Sequence, residues 1–204
     1  WGGLDVSVTV LEGTPQQMGA DVCFQLSRMR RLQSCSRAVR LCALLAGTAR
    51  TTVLCEYFDD SLQNVIQCGG LPTAPERLRV VLGIVKALQQ LHRHGITHGG
   101  LTAGCVLLDS KMVPRLRLRP HLPPPRGRSW KIGLLDDATA LSRLTEKLLS
   151  GCSIPAAAGG EDTVAYNALK RVVEWEWDRS PVWSSLLSGV LDLLQWTSEI
   201  LNLD

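Results

Sequence analysis

The stretch 75–109 constrains the fold of this chain most, because it predicts a long helix, a turn and a short strand in succession. Its apolar residues recur at steps of three and four, which places them on one face of a helix: Leu78, Val81, Leu82, Val85, Leu88 and Leu91. Pro75 and Glu76 suit the first helical turn. Gly95 suits the left-handed conformation that follows a helix end. A polar turn then leads to an apolar strand, Val106–Leu108.

The turn in this stretch resembles the catalytic loop of eukaryotic protein kinases. In that family a helix ending in LH..GI.H leads into H-R-D-L-x-x-x-x-N-[VI]-L, and this chain reads HGGLTAGCVL from His98 onward. The resemblance implies that the aspartate that accepts the substrate proton is replaced by Gly100, and the magnesium-binding asparagine by Cys105. Because no Asp or Glu lies between Glu76 and Asp109, no other alignment supplies the base.

Other parts of the kinase pattern also lack their defining residues. The alternating run Val6–Leu11 predicts a strand and resembles the family's V-A-x-K, with Thr9 at the lysine that pairs the ATP phosphates. The chain's first lysine is Lys86, and no G-x-G-x-x-G loop precedes the strand. A helix predicted over residues 16–34 resembles the family's αC, whose ion-pairing glutamate falls at Gln25 or, one turn earlier, at Asp21.

The segment that resembles the kinase hinge follows two further predicted strands, over residues 38–46 and 51–55. The run VLCEY resembles LVxEY, which makes Cys55, Glu56 and Tyr57 the candidate nucleotide-binding residues. Asp60 or Ser61 suits the N-cap of the next helix. A hinge of this kind also serves to join two lobes without any ligand, so no cofactor is expected.

Residues 130–138, WKIGLLDDA, resemble the strand that leads into the metal-binding D-F-G motif, with Asp136 at its aspartate. A second alignment places Leu134 there, and a third takes Val113–Leu116 as the strand. The preferred alignment makes 138–160 the activation segment. Residues 161–168, EDTVAYNA, separately resemble the family's central αF helix, and this resemblance implies that Asp162 braces the catalytic loop.

An arginine- and proline-rich tract over residues 111–128 departs from the kinase pattern. Three consecutive prolines favour an extended polyproline II segment, which is either a solvated insertion or a docking element for an acidic or SH3-like partner. The candidate interaction residues of the tract, together with three tryptophans that could form an exposed patch, are Arg115, Arg117, Arg119, Pro123, Pro124, Pro125, Arg126, Arg128, Trp175, Trp177 and Trp183.

Composition excludes several classes of function. A net charge of +3 over 204 residues and a basic tract without interleaved aromatics make nucleic acid a poor partner. No apolar run reaches the ~20 residues of a membrane-spanning helix. The seven cysteines are scattered without a CxxC pair, which favours reduced, buried thiols and a reducing compartment such as the cytoplasm. Neither a zinc site at His92, His94 and His98 nor a Cys105 nucleophile is expected.

The resemblance implies an α+β, kinase-like two-lobed fold, with a reduced N-lobe sheet over residues 1–57 and a mainly helical C-lobe over 58–204. The leading interpretation is a catalytically inactive pseudokinase that acts as a protein-interaction scaffold or allosteric regulator, without a bound cofactor or metal. The first alternative is a divergent phosphotransferase or nucleotide-binding protein that uses Asp136 and Asp137. The second is an interaction module whose arginine-proline tract binds an acidic partner.

Overall fold

A computed structural model describes residues 5–14, 19–71, 73–118, 130–150, 160–174 and 183–203, excepting the side chains of Asp21 and of 183–187. These residues form six strands, six α-helices and a 3-10 turn, Ala103–Cys105. In chain order the strands and α-helices are β1 (Val6–Glu12), α1 (Ala20–Arg31), β2 (Leu41–Ala46), β3 (Arg50–Glu56), β4 (Asp60–Ser61), α2 (Leu62–Gln67), α3 (Ala74–Arg93), β5 (Val106–Leu108), β6 (Pro114–Leu116), α4 (Trp130–Ser150), α5 (Glu161–Val173) and α6 (Trp183–Ile200). The class is α+β, as the sequence predicts.

The predicted central helix is confirmed as α3, which packs against α4, α5, α6 and β6. It begins with a capping box, in which the Thr73 hydroxyl accepts the N–H of Glu76 and the Glu76 carboxylate accepts the N–H of Thr73. It ends at Arg93, and Gly95 has a φ of 67°, as expected for a residue after a helix end. The apolar stripe of α3 is almost fully buried, so this helix forms the centre of the core.

Two antiparallel three-stranded sheets accompany the helices. The first has the order β1-β3-β2, and Val6 pairs with Glu56 at one end. The second has the order β4-β5-β6, and Val106 pairs with Leu116. The third alignment predicted a strand over Val113–Leu116, and β6 confirms that a strand lies there. Ser61 caps α2 by accepting the N–H of Asn64, which decides between the two expected caps.

Two sequence-predicted boundaries change. The helix predicted over 16–34 is α1, which ends at Arg31 and is followed by a turn; residues 16–18 lie outside the described chain. The strand predicted from residue 38 begins at Leu41. Ala38 instead forms an isolated parallel bridge with Leu116, which connects the segment after α1 to the second sheet.

The prediction of a strand over 130–138 is wrong, because these residues open the long helix α4. The predicted activation segment is wrong over 138–150 for the same reason, and 151–159 lie outside the described residues. The run WKIGLLDDA is too short for its periodicity to separate a strand from a helix. The buried positions decide the matter, since they recur at helical spacing: Gly133, Leu134, Asp137, Ala138, Leu141, Leu144, Thr145 and Leu148.

The described cysteines divide into two groups, which corrects the expectation that the thiols are buried. Cys35, Cys55 and Cys105 are buried, whereas Cys23, Cys42 and Cys68 are exposed. Within the described ranges, no helix combines the length and the apolarity that crossing a membrane requires.

Candidate functional site

A buried carboxylate on α4 holds the loop that follows α3. The Oδ2 atom of Asp137 accepts the backbone N–H of His98 at 2.7 Å, and its Oδ1 accepts the N–H of Gly99 at 2.8 Å. Asp137 is only 1% exposed. Two charge-assisted hydrogen bonds of this length are among the stronger contacts that a folded chain makes. The turn after α3 is therefore fixed by a side chain from a distant helix.

His92, in the last turn of α3, completes this cluster. Its Nε2 atom lies 2.9 Å from Oδ2 of Asp137, and its ring meets that of Trp130 edge to face, with centroids 5.9 Å apart. The sequence suggested only that His92 packs on its helix. The His92 contact gives the Asp137 carboxylate a third polar partner. The three contacts together offset the free-energy cost of burying this charge.

Helix α1 reaches the same loop through two arginines. Arg28 donates from Nη2 to the carbonyl oxygen of Thr97 and from Nη1 to Oε1 of Gln25, at 2.6 Å for the latter. Arg31 donates to the carbonyl oxygen of His94 at 2.7 Å. Burial lowers the pKa of Arg28, and the nearby Asp137 carboxylate acts in the opposite direction. Thus α1, the loop and α4 are joined by one polar network.

The positions where the kinase resemblance placed catalytic groups carry no such chemistry. Gly100 has no side chain. Cys105 is fully buried, and its Sγ atom accepts the Thr102 hydroxyl at 3.3 Å and contacts the carbonyl oxygen of Gly100 at 3.6 Å. This thiol fills the interior of the loop. His98 is buried at the start of the loop, with its backbone N–H on Asp137.

The positions of the phosphate-pairing lysine and of the glutamate that ion-pairs with it are likewise not a lysine–glutamate pair. Thr9 lies in β1, opposite Val53 of β3. Gln25 is buried in α1 and accepts a hydrogen bond from Arg28. The alternative residue Asp21 also lies on α1, but its side chain is outside the described set.

At the hinge-like segment, two of the three candidate residues contribute to internal structure. Glu56 lies 3.5 Å from both Arg40 and Arg115, so its carboxylate joins β3 to the segments before β2 and within β6. Burial, with a smaller contribution from Cys42, raises the pKa of the Cys55 thiol to about 11. Tyr57 is 48% exposed.

The predicted acidic pair of α4 consists of two residues in different environments. Asp137 is hydrogen-bonded to the backbone of the loop after α3, whereas the side chain of Asp136, one residue earlier in α4, is half-buried. Asp162, expected to brace the loop, instead accepts the N–H of Ala74 at 3.3 Å and so helps to start α3. That prediction is wrong, and the bracing carboxylate is Asp137.

A scan against protein-family models finds no match for this sequence, and a search of curated proteins finds no significant match. Among the residues that the structure describes, no group of three or more His, Cys, Asp or Glu side chains could hold a metal ion. The hydrogen bonds of Asp137 to the backbone of His98 and Gly99 indicate that this cluster has a structural role, which is to hold the loop after α3.

Only part of the predicted interaction surface falls within the described chain. Arg115 contacts Glu56 and lies over the Phe58 ring, with its guanidinium carbon 5.7 Å from the centroid. Arg117 donates to the carbonyl oxygen of Gly104 at 3.0 Å. Both arginines thus stabilise the chain's own fold. Residues 119–129, Trp175, Trp177 and the side chain of Trp183 lie outside the described set.

The sequence did not lead us to the role of Asp137, although the spacing of this residue relative to nearby leucines indicates it. Within α4, this residue shares a face with Leu134, Leu141 and Leu144, so helical spacing places a carboxylate on the apolar side. An aspartate is almost never fully buried unless it is paired. Recognition of residues 130–150 as a helix would therefore have identified Asp137 as a residue with buried hydrogen-bond donors around it.

Proposed function

We propose that this chain is a kinase-like protein that does not transfer phosphoryl groups and instead acts as an interaction scaffold or allosteric partner. One observation carries the proposal. Asp137 holds the backbone of the loop after α3 in a fixed shape, while the positions in that loop that would perform chemistry are Gly100 and the buried Cys105. In this proposal, the loop corresponds to the frame of a catalytic loop that lacks its reactive groups.

The missing groups are those on which phosphoryl transfer depends. That reaction is catalysed almost entirely by positioning and by stabilisation of charge, through a lysine, metal ions and a carboxylate that orients the nucleophile. Here the corresponding positions hold Thr9, Cys105 and Gly100, none of which carries a charge suited to the task. Loss of all three removes the electrostatic contribution to the reaction.

An allosteric role is supported by the connection between α1 and the loop. Arg28 and Arg31 donate to the carbonyl oxygens of Thr97 and His94, so a partner that displaces α1 has to break these hydrogen bonds. Arg28 also lies near the Asp137 charge, and its displacement would weaken the support of that buried carboxylate. The network gives partner binding a direct route to the shape of the loop.

The divergent phosphotransferase is less well supported. Asp137 is 1% exposed and both of its oxygens accept backbone N–H groups, so a metal ion shared with Asp136 would have to compete with these hydrogen bonds. The alternative then depends mainly on Asp136, which would have to bind magnesium together with the phosphates of a nucleotide.

Thermal unfolding with ATP or ADP, with and without Mg²⁺, tests the proposal. A nucleotide present at a hundred times its dissociation constant would stabilise the protein by about 2.7 kcal/mol. We expect no magnesium-dependent shift and no transfer of labelled γ-phosphate to the chain or to a mixed protein substrate. A shift that needs Mg²⁺ and disappears in Asp136→Ala, together with phosphate transfer, would overturn the proposal in favour of the divergent enzyme. A metal-independent shift without transfer would add nucleotide binding to an inactive protein.

A further inference from the structure

A cavity of about 200 Å³ lies on the side of α3 near β6 and the end of α6. We call it the basic cavity. Six of its lining side chains come from α3, from the segments before β2 and β6, and from α6: Arg37, Arg79, Leu82, Lys86, Met112 and Ser198. These residues are distinct from those of the Asp137 cluster.

The spacing along α3 produces one wall of the cavity. Arg79, Leu82 and Lys86 follow each other at steps of three and four residues, so they lie on one face of the helix. Gly83 lies between them, and its lack of a side chain allows Pro114 to approach, since a Cβ atom there would lie 2.6 Å from the proline Cδ. The wall therefore presents two cations beside an apolar floor.

The cations of the cavity have few internal partners. Arg79 donates from Nε to the carbonyl oxygen of Leu203 at 3.1 Å. Arg37 and Lys86 are half-buried, and neither side chain has an ion-pair or hydrogen-bond partner within the described part of the chain. Among the residues that the structure describes, no acidic side chain lines the cavity. Partly buried positive charges without counter-charges are unfavourable, and an anion placed between them would remove that cost.

Ser198 adds a neutral donor to this arrangement. It is 4% exposed, it lines the cavity, and its hydroxyl makes no hydrogen bond within the described residues. Three cationic groups and a hydroxyl match the three acceptor oxygens and double charge of a phosphomonoester better than the two oxygens of a carboxylate. The cavity volume also accommodates a group the size of phosphate with some water.

We propose that the basic cavity binds the phosphorylated side chain of a peptide segment of a partner protein. Arg37, Arg79 and Lys86 contact the phosphate, which is the mode in which clusters of basic side chains recognise phosphorylated motifs. Leu82, Met112 and Leu203 provide apolar contacts for the residues beside it. The concave shape and apolar lining favour a peptide over a membrane surface. This proposal names a partner class that the scaffold function leaves open, and it stands even if the loop after α3 proves to be catalytic.

Binding of short labelled peptide pools by the intact chain tests the proposal. The pools carry a fixed central phosphoserine, phosphothreonine or phosphotyrosine, and matched pools carry the unphosphorylated residue or glutamate. Inorganic phosphate and vesicles containing phosphatidylinositol phosphates serve as further probes. Lys86→Met and Arg37→Gln each remove one charge while they keep much of the side chain. Lys170→Met, on the exposed face of α5, is the matched control for a lost lysine charge.

We expect at least one phosphorylated pool to bind more tightly than its unphosphorylated and glutamate counterparts. Each of Lys86→Met and Arg37→Gln should weaken that binding by about tenfold, the effect of one charge-assisted hydrogen bond, and Lys170→Met should leave it unchanged. Unfolding midpoints identify any variant that fails to fold, and the remaining variant then decides. Equal binding of the phosphorylated and unphosphorylated pools would overturn the proposal. Binding that neither Lys86→Met nor Arg37→Gln weakens would also overturn it. So would binding to vesicles alone, which indicates a lipid headgroup, or to inorganic phosphate as tightly as to peptide, which indicates a site for the free anion.

Discussion

Asp137 accepts the backbone N–H of His98 at 2.7 Å, although 39 residues separate the two along the chain. This contact makes the shape of the loop after α3 depend on a side chain of α4, a helix that is distant in sequence. The loop itself offers little to hold its shape, since it contains three glycines between residues 95 and 100. Several measurable consequences arise from this dependence and from the neighbouring contacts.

Replacement of Asp137 by asparagine should destabilise the protein by about 3 kcal/mol, because charge-assisted hydrogen bonds become neutral ones and an amide N–H₂ faces backbone donors. Urea unfolding measures the loss. Asp136→Asn is the matched control, since that side chain is half-buried on the neighbouring position and should cost less than about 1 kcal/mol. Equal effects of the two substitutions would show that Asp137 does not brace the loop.

Replacement of Arg28 by methionine should loosen the loop more than it changes overall stability. The variant removes the donors to Thr97 and Gln25, but it also removes a charge whose burial is costly. Amide hydrogen exchange over residues 96–105 should accelerate by roughly tenfold, which corresponds to one lost hydrogen bond of about 1.4 kcal/mol. Arg30→Met, on the exposed side of α1, should leave the exchange unchanged. Unaltered exchange in Arg28→Met would contradict the proposed coupling of α1 to the loop.

The thiol of Cys55 should resist alkylation at neutral pH. With its pKa raised from 9.0 to about 11, the thiolate fraction at pH 7 is about a hundredfold smaller than that of an unperturbed thiol, and burial restricts access further. Mass spectrometry after treatment with iodoacetamide should find Cys42 and Cys68 modified before Cys55. Early modification of Cys55 would contradict its burial in the core.

The same shift predicts how stability changes in alkali. Because the folded state holds the Cys55 proton more tightly than the unfolded state, this contribution is fully present below pH 9 and is lost as pH rises through about 11. Cys55→Ala should show a smaller decline of unfolding free energy over that interval than the wild-type chain. Cys68→Ala, at an exposed thiol, controls for the general effect of alkali. Identical pH profiles for all three proteins would contradict the raised pKa.

Gly83→Ala should destabilise the protein by about 1–3 kcal/mol, although alanine is ordinarily the better helix former. The added methyl group would overlap the ring of Pro114, so β6 or α3 has to move. Gly19→Ala is the matched control, since a Cβ atom there meets nothing within 4 Å and the φ of −58° suits alanine. A stabilised Gly83→Ala variant would show that α3 and β6 are farther apart than described.

Sequence reasoning was most successful where periodicity was long or where one residue type decides a local conformation. The stripe of α3, the glycine after it and the alternation in β1 each predicted the element that the structure contains. It failed over 130–138, where a short apolar run fits a strand and a helix equally well. The strand prediction hid the bracing role of Asp137, while the separate resemblance of residues 161–168 to the αF helix assigned that role to Asp162, which instead contacts the start of α3.

The sequence by itself determined the class of the fold, the position and ends of its central helix, and the absence of charged groups at Thr9, Gly100 and Cys105. The class of the fold follows from the resemblance to protein kinases, whereas the central helix and the uncharged positions follow from apolar spacing and residue identity, which can be read along the chain. Only the tertiary structure decided which carboxylate supports the loop and which cations surround the basic cavity. Such contacts join segments far apart in sequence, and their energies depend on burial and distance, which no local pattern encodes.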